Sequence, residues 1–258
     1  MKTIEGIAIL GALAWLPHLL KLIKDVFTRP KIRIICQRYA EIGYNSLGPI
    51  LNLRIAFSVR HRDIVISSIK IKLKHESGEE KTLSWQGIVQ RLGQIQTPEA
   101  GPIPWEKEHS VLAIKLNEKE VEERLIRFQE EDFHTNKETY EGKAAKKLTY
   151  LKEKAKYDSD DFLQSEEMKD LDSFIRRWST WKQGKYSATF YVESPEVFEL
   201  KDNSYEFSLN PLDIELLEAN KEFVKLFFEN QIKIGTEGYK AHEINWNWVN
   251  PSFNKIPD

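Results

Sequence analysis

The residues best suited to proton-transfer chemistry in this chain are His75, Glu76 and His109. A histidine beside a glutamate can act as a general acid or base when a substrate pocket brings the two together. However, His75-Glu76 is followed by Ser77-Gly78 at the end of a predicted strand, and this composition is typical of a hairpin turn. We therefore expect a turn here. An enzyme of unrecognised family stays as an alternative, and it would use these three residues.

The sequence contains none of the usual catalytic or nucleotide-binding motifs. His61-Arg62-Asp63 matches the first letters of a kinase catalytic loop, but Ser68 stands where that loop has asparagine, and neither a Gly-rich loop nor Asp-Phe-Gly accompanies it. The six histidines lack His-Glu-x-x-His spacing, and no glycine pattern for phosphate binding occurs. The acidic pairs Asp160-Asp161 and Glu166-Glu167 lie in a segment whose charge is that of a solvated helix face. The sequence therefore predicts no catalytic residue, metal or cofactor, and it favours a non-enzymatic protein.

Four tryptophans form two pairs in the sequence. Trp246 and Trp248 fall on one face of a predicted strand, and Trp178 and Trp181 are three residues apart on a predicted helix. Aromatic side chains dominate protein cores, and tryptophan is also enriched in protein–protein interfaces. We expect two aromatic patches, which serve either core packing or an interaction surface.

The composition limits the classes of function that the chain can have. Its 258 residues are 41% hydrophobic, which is enough to fill a core. The net charge of −2 argues against nucleic acid as a partner, because that requires an excess of cations against phosphate. Cys36 is the single cysteine, so no intrachain disulfide can form. The cations are concentrated in residues 1–74, which hold thirteen Lys or Arg and four Asp or Glu.

Residues 1–28 are predicted to form a membrane-associated helix. The run from Gly6 to Leu20 reads GIAILGALAWLPHLL, and basic residues follow it from Lys21 to Arg33. A basic flank stays on the cytoplasmic side of a membrane, so the N-terminus would lie outside and the bulk of the chain in the cytoplasm. The residues predicted to contact the membrane are Ile7, Ile9, Leu10, Leu13, Trp15, Leu16, Leu19, Leu20, Ile23, Lys21 and Lys24.

The length of this segment leaves its mode of membrane association open. A spanning helix needs about 20 apolar residues, and the run is 15 residues long with Pro17 inside it. The alternatives are an amphipathic helix lying in the interface, a signal peptide cleaved after Ala12-Leu13-Ala14, and a terminal helix buried in this domain or in a partner. We expect a single-pass membrane protein.

The remainder of the chain, residues 29–258, is predicted to be a β domain. Arg29-Pro30 ends the helix, because the residue before proline is disfavoured in helical geometry. Apolar and polar residues then alternate in Lys31–Cys36, Ile50–Val59, Asp63–Lys74 and Lys185–Val192. Short segments near 200, 207, 233 and 246 continue this period of two. Seven to nine short strands predict an immunoglobulin-like antiparallel β-sandwich.

A charged helical insertion is predicted to divide the strands at about 117–183. Its apolar residues are sparse and follow helical spacing, beginning with Val121, Leu125 and Phe128. We expect two or three solvent-exposed helices. A further helix is expected after Asn210-Pro211, where asparagine can cap and proline can begin a helix.

The order of elements resembles that of one group of proteins. A short hydrophobic helix is followed by Arg29-Pro30-Lys31-Ile32, a sandwich strand and the stretch GPILNLRIAFSV. This order, over about the first 85 residues, resembles uncharacterised bacterial membrane-anchored proteins with a small β-sandwich domain. The resemblance is architectural and transfers no catalytic residue.

These observations favour a membrane-tethered binding, adaptor or sensor module whose partners are membrane lipid and another protein or a second copy of itself. Bacterial multi-protein systems such as phage defence are a setting suggested by analogy. Besides the enzyme, the second alternative is an exported module that binds glycan or cell wall through Trp246 and Trp248.

Overall fold

The computed structural model describes residues 15–17, 19–20, 28–97, 101–109, 112–178 and 181–257, with the side chains of 89–97 and 101–109 left out. It confirms that the protein is mainly β with a few helices. The strands within this part are β1 (Lys31–Cys36), β2 (Glu41–Asn45), β3 (Gly48–Arg60), β4 (Ile64–Ile66), β5 (Ser68–His75), β6 (Glu80–Thr97), β7 (Gly101–His109), β8 (Ile114–Leu116), β9 (Val121–Glu130), β10 (Gly184–Glu193), β11 (Glu199–Lys201), β12 (Ser204–Leu209), β13 (Trp248–Val249) and β14 (Asn254–Lys255). The helices described after residue 28 are α1 (Glu131–Glu153), α2 (Ser159–Leu163), α3 (Glu166–Arg177) and α4 (Pro211–Lys233).

Twelve of the described strands pair in one mixed sheet. The order is β11-β1-β3-β9-β6-β5-β10-β12-β14; in addition, β2 pairs with β3, β13 with β2, and β7 with β6. Strand β1 pairs with β11 in parallel and with β3 antiparallel. Strands β4 and β8 form a separate two-stranded sheet.

The sheet curls until its two ends meet. Strands β11 and β12 are joined by only Asp202 and Asn203, yet they occupy distant places in the strand order. The contact is direct, since the Tyr205 hydroxyl of β12 donates to the Ile34 carbonyl of β1 at 2.9 Å and accepts from the Cys36 amide at 3.3 Å. The inner face of the curled sheet is therefore enclosed.

This enclosed face holds the main core. Alternating residues of each strand point inward, as the period of two in Lys31–Cys36 and Ile50–Val59 predicts. In β3, for example, Leu53, Ile55 and Phe57 are fully buried and Arg54 is exposed. The other strands contribute in the same way. Further buried members of this core are Ile32, Ile34, Ile71, Leu73, Ile126, Phe128, Ala188, Phe190, Tyr205 and Phe207.

The helices form a second layer with a core of its own. Phe133 of α1, Ile175 of α3 and Val224 of α4 are buried together. Local signals fix the ends of these helices: the Ser165 hydroxyl accepts from the Met168 amide at the start of α3, and Asn210 begins α4 with a reciprocal capping box and Pro211 in its first turn. The predicted helix after Asn210 is confirmed.

Several predictions about the β domain differ from the structure. The immunoglobulin-like sandwich is not confirmed, because the strands pair in one curled sheet that includes a parallel pair. Val121, Leu125 and Phe128, predicted to be helical, belong to strand β9. The described helices between the strands begin only at Glu131. At the other end, residues 232–233 finish α4 and only Trp248–Val249 of the segment near 246 forms a strand.

Of the N-terminal segment, residues 15–17 and 19–20 are described, and they are helical. Among the described residues, no helix is both long and apolar enough to cross a membrane.

Gly43 of β2 lies at the junction between the sheet and its surroundings. Its carbonyl accepts from the Trp181 indole at 3.1 Å, and a Cβ added at this position would lie 2.3 Å from Cζ3 of Trp248. Only a residue without a side chain therefore fits beneath this ring. Gly142 is the opposite case, because a Cβ there would meet no atom within 4 Å inside helix α1.

We predict that Gly43→Ala lowers the free energy of unfolding by about 2 kcal/mol, the usual cost of overpacking. The matched control Gly142→Ala should raise it by about 0.5–1 kcal/mol, because alanine favours helix over glycine. Chemical denaturation of both variants measures the two changes. A Gly43→Ala protein as stable as the unchanged chain would contradict the packing of Trp248 on β2.

Candidate functional site

One surface and two clusters carry the residues singled out by the sequence, and the structure adds a second surface. The first surface is the N-terminal segment, in which Trp15 and Leu20 are 73% and 57% exposed, and Leu16 and Leu19 are also exposed. These apolar side chains belong to residues 15–17 and 19–20, which are helical. The other residues predicted to contact the membrane lie outside the described part of the chain. They are Ile7, Ile9, Leu10, Leu13, Lys21, Ile23 and Lys24.

The four tryptophans lie at the junction of the sheet and the helical layer. The Trp178 indole donates to Glu130 Oε2 at 3.0 Å, and its ring meets Phe133 edge-on at 5.6 Å. Trp181 is only 4% exposed. The structure thus separates these two side chains, since Trp178 packs in the helical core and Trp181 in the core of the sheet.

The second pair is divided in the same way. Trp246 packs against Phe223 and Phe227 of α4, with ring centroids 6.1 and 6.2 Å away. Trp248 instead covers Gly43, the residue to which Trp181 donates its hydrogen bond. Trp181 and Trp248 therefore meet at Gly43, whereas the members of each predicted pair, Trp178 with Trp181 and Trp246 with Trp248, are separated. Their contacts join the helical layer to strand β2.

His75 is bound into the turn that follows β5. Its Nδ1 accepts from the Ser77 amide at 3.2 Å, and its Nε2 lies 3.0 Å from the Gln183 carbonyl oxygen. A carbonyl oxygen can only accept a hydrogen bond, so Nε2 is the donor to Gln183. The adjacent cavity, between His75 and Tyr186, has a volume of only 10 Å³, which is about the space of one water molecule. The ring therefore holds the turn together.

Of the other two residues predicted for proton transfer, Glu76 lies next to His75, since a Cβ added at Gly184 would lie 2.3 Å from Glu76 Oε1 and 2.7 Å from His75 Nε2. The side chain of Glu76 borders Gly184 on the neighbouring strand, and the side chain of His109 lies outside the described part. Within the described residues, no group of three His, Cys, Asp or Glu side chains could hold a metal ion.

A groove in the helical layer is the second surface. It has a volume of about 320 Å³ and lies between α2, α3 and α4. Its apolar lining consists of Leu163, Met168 and Phe228, and charged residues surround them. We name it the helical groove. Its charged lining residues are Asp160, Lys169, Asp172, Lys225, Glu229 and Lys233.

The electrostatics of the helical groove differ between its two sides. Lys233 bridges Asp160 and Glu229 at 2.5 and 3.2 Å, and hydrogen bonds to these carboxylates raise its pKa. Asp172 is less well satisfied, because its Oδ1 is buried without a hydrogen-bond partner among the described residues and Arg176 stands 3.8 Å from Oδ2. Burial therefore raises the pKa of Asp172, against the attraction of Arg176 and Lys225.

Sequence reasoning missed the helical groove. Its two halves come from segments 160–172 and 225–233, and the helices that carry them are separated by the strands β10 to β12. The available signal is the apolar spacing within single helices, such as Met168, Leu171 and Ile175 in α3. The same spacing is expected of any helix that packs on a core.

No protein-family model matches this chain, and neither a curated protein nor a solved structure matches it. The function is therefore argued from the chain's own residues.

We predict that Asp172→Asn stabilises the protein at neutral pH. Folding raises the pKa of this carboxyl group, so its ionised form destabilises the folded state at pH values above the folded pKa. This destabilisation disappears once the pH falls below the ordinary pKa of 3.8, because the group is then protonated in the folded and the unfolded state alike. The stabilisation should therefore be present at pH 7 and vanish on acidification through that value. The variant also loses the ion pair with Arg176. Because this pair is partly exposed, its loss should offset only about 0–1 kcal/mol of the stabilisation.

Unfolding by urea at several pH values measures this difference. Asp170→Asn on the same helix is the matched control, since Asp170 is exposed, and it should change stability little. Destabilisation by Asp172→Asn at pH 7 would contradict the uncompensated burial of this carboxylate.

Proposed function

We propose that this protein is a non-enzymatic binding module tethered to a membrane by its N-terminal segment, with the helical layer presented to a partner protein. The observation that carries the proposal is the exposure of Trp15, Leu16, Leu19 and Leu20, which belong to the helical residues 15–17 and 19–20. A group of exposed apolar side chains is typical of a surface that meets a membrane or another protein.

The residues around this stretch favour a membrane. Lys21 and Lys24 follow Leu20 directly, and long basic side chains can extend toward lipid headgroups. Tryptophan is enriched at membrane–water boundaries, which suits Trp15. The basic flank places the following domain in the cytoplasm.

The helical groove supports the second half of the proposal. Protein–protein interfaces combine an apolar centre with a polar rim, as Leu163, Met168 and Phe228 do within their charged surroundings. Such surfaces are commonly carried by insertions on a rigid scaffold. Helices α1 to α3 are an insertion of this kind between β9 and β10.

The tether predicts a loss of membrane association in the variant Leu19→Asp/Leu20→Asp. Aspartate at the centre of a spanning helix costs on the order of 3 kcal/mol, so two such changes should move the protein from the membrane fraction to the soluble fraction. Fractionation of cells that express the full chain measures this distribution.

Leu112→Asp is the matched control for the tether, because Leu112 is 92% exposed outside the N-terminal segment. This variant should stay in the membrane fraction. If the double variant also stays there, the tether lies elsewhere and the proposal fails.

The partner surface predicts that Lys169→Glu/Lys225→Glu weakens capture of the partner. Both lysines line the helical groove and are exposed, so reversing their charges changes the rim without opening the core. Each reversal should reduce affinity about tenfold if the lysine faces an opposite charge in the partner. A photoreactive residue in place of Gln164, which lines the groove, would crosslink to the bound partner in membranes from the native cell, and the yield of this crosslink measures capture.

Lys240→Glu is the control for this experiment, since Lys240 is exposed and does not line the groove. It should leave crosslinking unchanged. Equal crosslinking in all three proteins would show that the helical groove is not the binding surface.

A further inference from the structure

A basic hollow lies on the outer face of the sheet where β11, β1 and β3 run side by side. Its volume is about 360 Å³. Strand register explains how it forms: Lys31 stands opposite Arg60 on one side and Glu199 on the other, and Arg33 stands opposite Lys201. Directly opposed residues point to the same face of a sheet. Side chains far apart in sequence therefore meet here.

The charge of the hollow is positive. Four cationic side chains line it, and they face a single lining carboxylate, Asp202. The cations that line the hollow are Lys31, Arg33, Arg60 and Lys201.

Two carboxylates partly offset these cations and hold them in place. Asp202 accepts from Arg33 Nε at 2.8 Å and from Lys255 at 2.5 Å. Glu199 bonds Lys31 at 3.0 Å and Lys201 at 2.7 Å. Each carboxylate is thus shared between two cations. The excess of positive charge persists, and the shared pairs fix the direction of the side chains.

The place of the hollow in the chain relates it to the N-terminal segment. Strand β1 begins at Lys31, eleven residues after Leu20. On the same outer face, Ile35 and Val121 are 47% and 65% exposed. Apolar side chains beside cations are typical of surfaces that lie in a membrane interface.

We propose that the basic hollow binds the phosphate of anionic phospholipid headgroups and so holds the outer face of β1, β3 and β9 against the membrane. This inference rests on the proposed tether and adds the surface that orients the domain. Residues 75–258 hold twenty-five Lys or Arg and thirty-six Asp or Glu. Anionic lipid therefore repels most of that part of the chain and is attracted to this face.

The test compares binding of the full chain to two kinds of vesicle at constant ionic strength. One kind is phosphatidylcholine alone, and the other contains about one-third phosphatidylglycerol. The variant Arg33→Gln/Arg60→Gln removes two cations, each worth about fivefold in binding to an anionic surface. It should lose about tenfold or more of its affinity for the anionic vesicles and bind the neutral vesicles as the unchanged chain does.

The matched control is Lys146→Gln/Lys156→Gln, which removes two exposed cations at the helical layer. It should keep its preference for anionic vesicles. Added inorganic phosphate should leave vesicle binding unchanged, because a single ion lacks the apolar contacts of the lipid surface.

Four outcomes would overturn the inference. If the unchanged chain and the variant Arg33→Gln/Arg60→Gln bind anionic vesicles equally, the hollow does not bind lipid, although the proposed tether is unaffected. An equal loss in the control variant means that only overall charge matters. Release by inorganic phosphate assigns the hollow to a soluble anion. Failure of the unchanged chain to bind either kind of vesicle overturns the tether as well.

Discussion

The Tyr205 hydroxyl closes the curled sheet, and the rest of the structure depends on this closure. Strand β11 pairs only with Lys31–Arg33 of β1, so the Ile34 carbonyl and the Cys36 amide on that edge lie beyond its reach. Tyr205 bonds both groups, and its ring stacks on Phe253 at 5.1 Å. Backbone groups left unpaired in a core cost about 1–3 kcal/mol each. Without this contact, the inner faces of β1 and β12 would lose their cover.

Strand β3 runs from the helical layer to the basic hollow. Strand β3 begins at Gly48, which packs against Phe133 of the helical layer, and ends at Arg60 in the basic hollow. Thirteen residues of strand span roughly 40 Å. The helical layer is fastened to the near end through Tyr44, whose hydroxyl donates to the Ile175 carbonyl. The basic hollow and the contact with the helical core therefore lie at opposite ends of β3, and the hollow and the helical groove are separate surfaces.

The sequence predicts those parts of this arrangement that depend on local pattern. Alternation in β3 and the cap at Asn210 are local, and both were predicted correctly. Strand β9 was missed because Glu122 and Arg124 occupy the same parity as its buried residues Ile126 and Phe128, which hides the period of two. Both surfaces depend on register and on helix packing. Lys31, Arg60 and Lys201 become neighbours only after the strands pair, and no local pattern encodes that.

The central claim is our proposal that the outer face of β1, β3 and β9 lies on the membrane and that the helical groove does not contact it. A fluorophore at Val121→Cys or Lys169→Cys tests this in the full chain bound to vesicles, with spin-labelled headgroups as the quencher. Burial raises the pKa of the Cys36 thiol to about 12, so the native cysteine should stay unlabelled near neutral pH. We expect strong quenching at position 121 and little at position 169. Equal quenching at both positions, or stronger quenching at 169, would contradict the account.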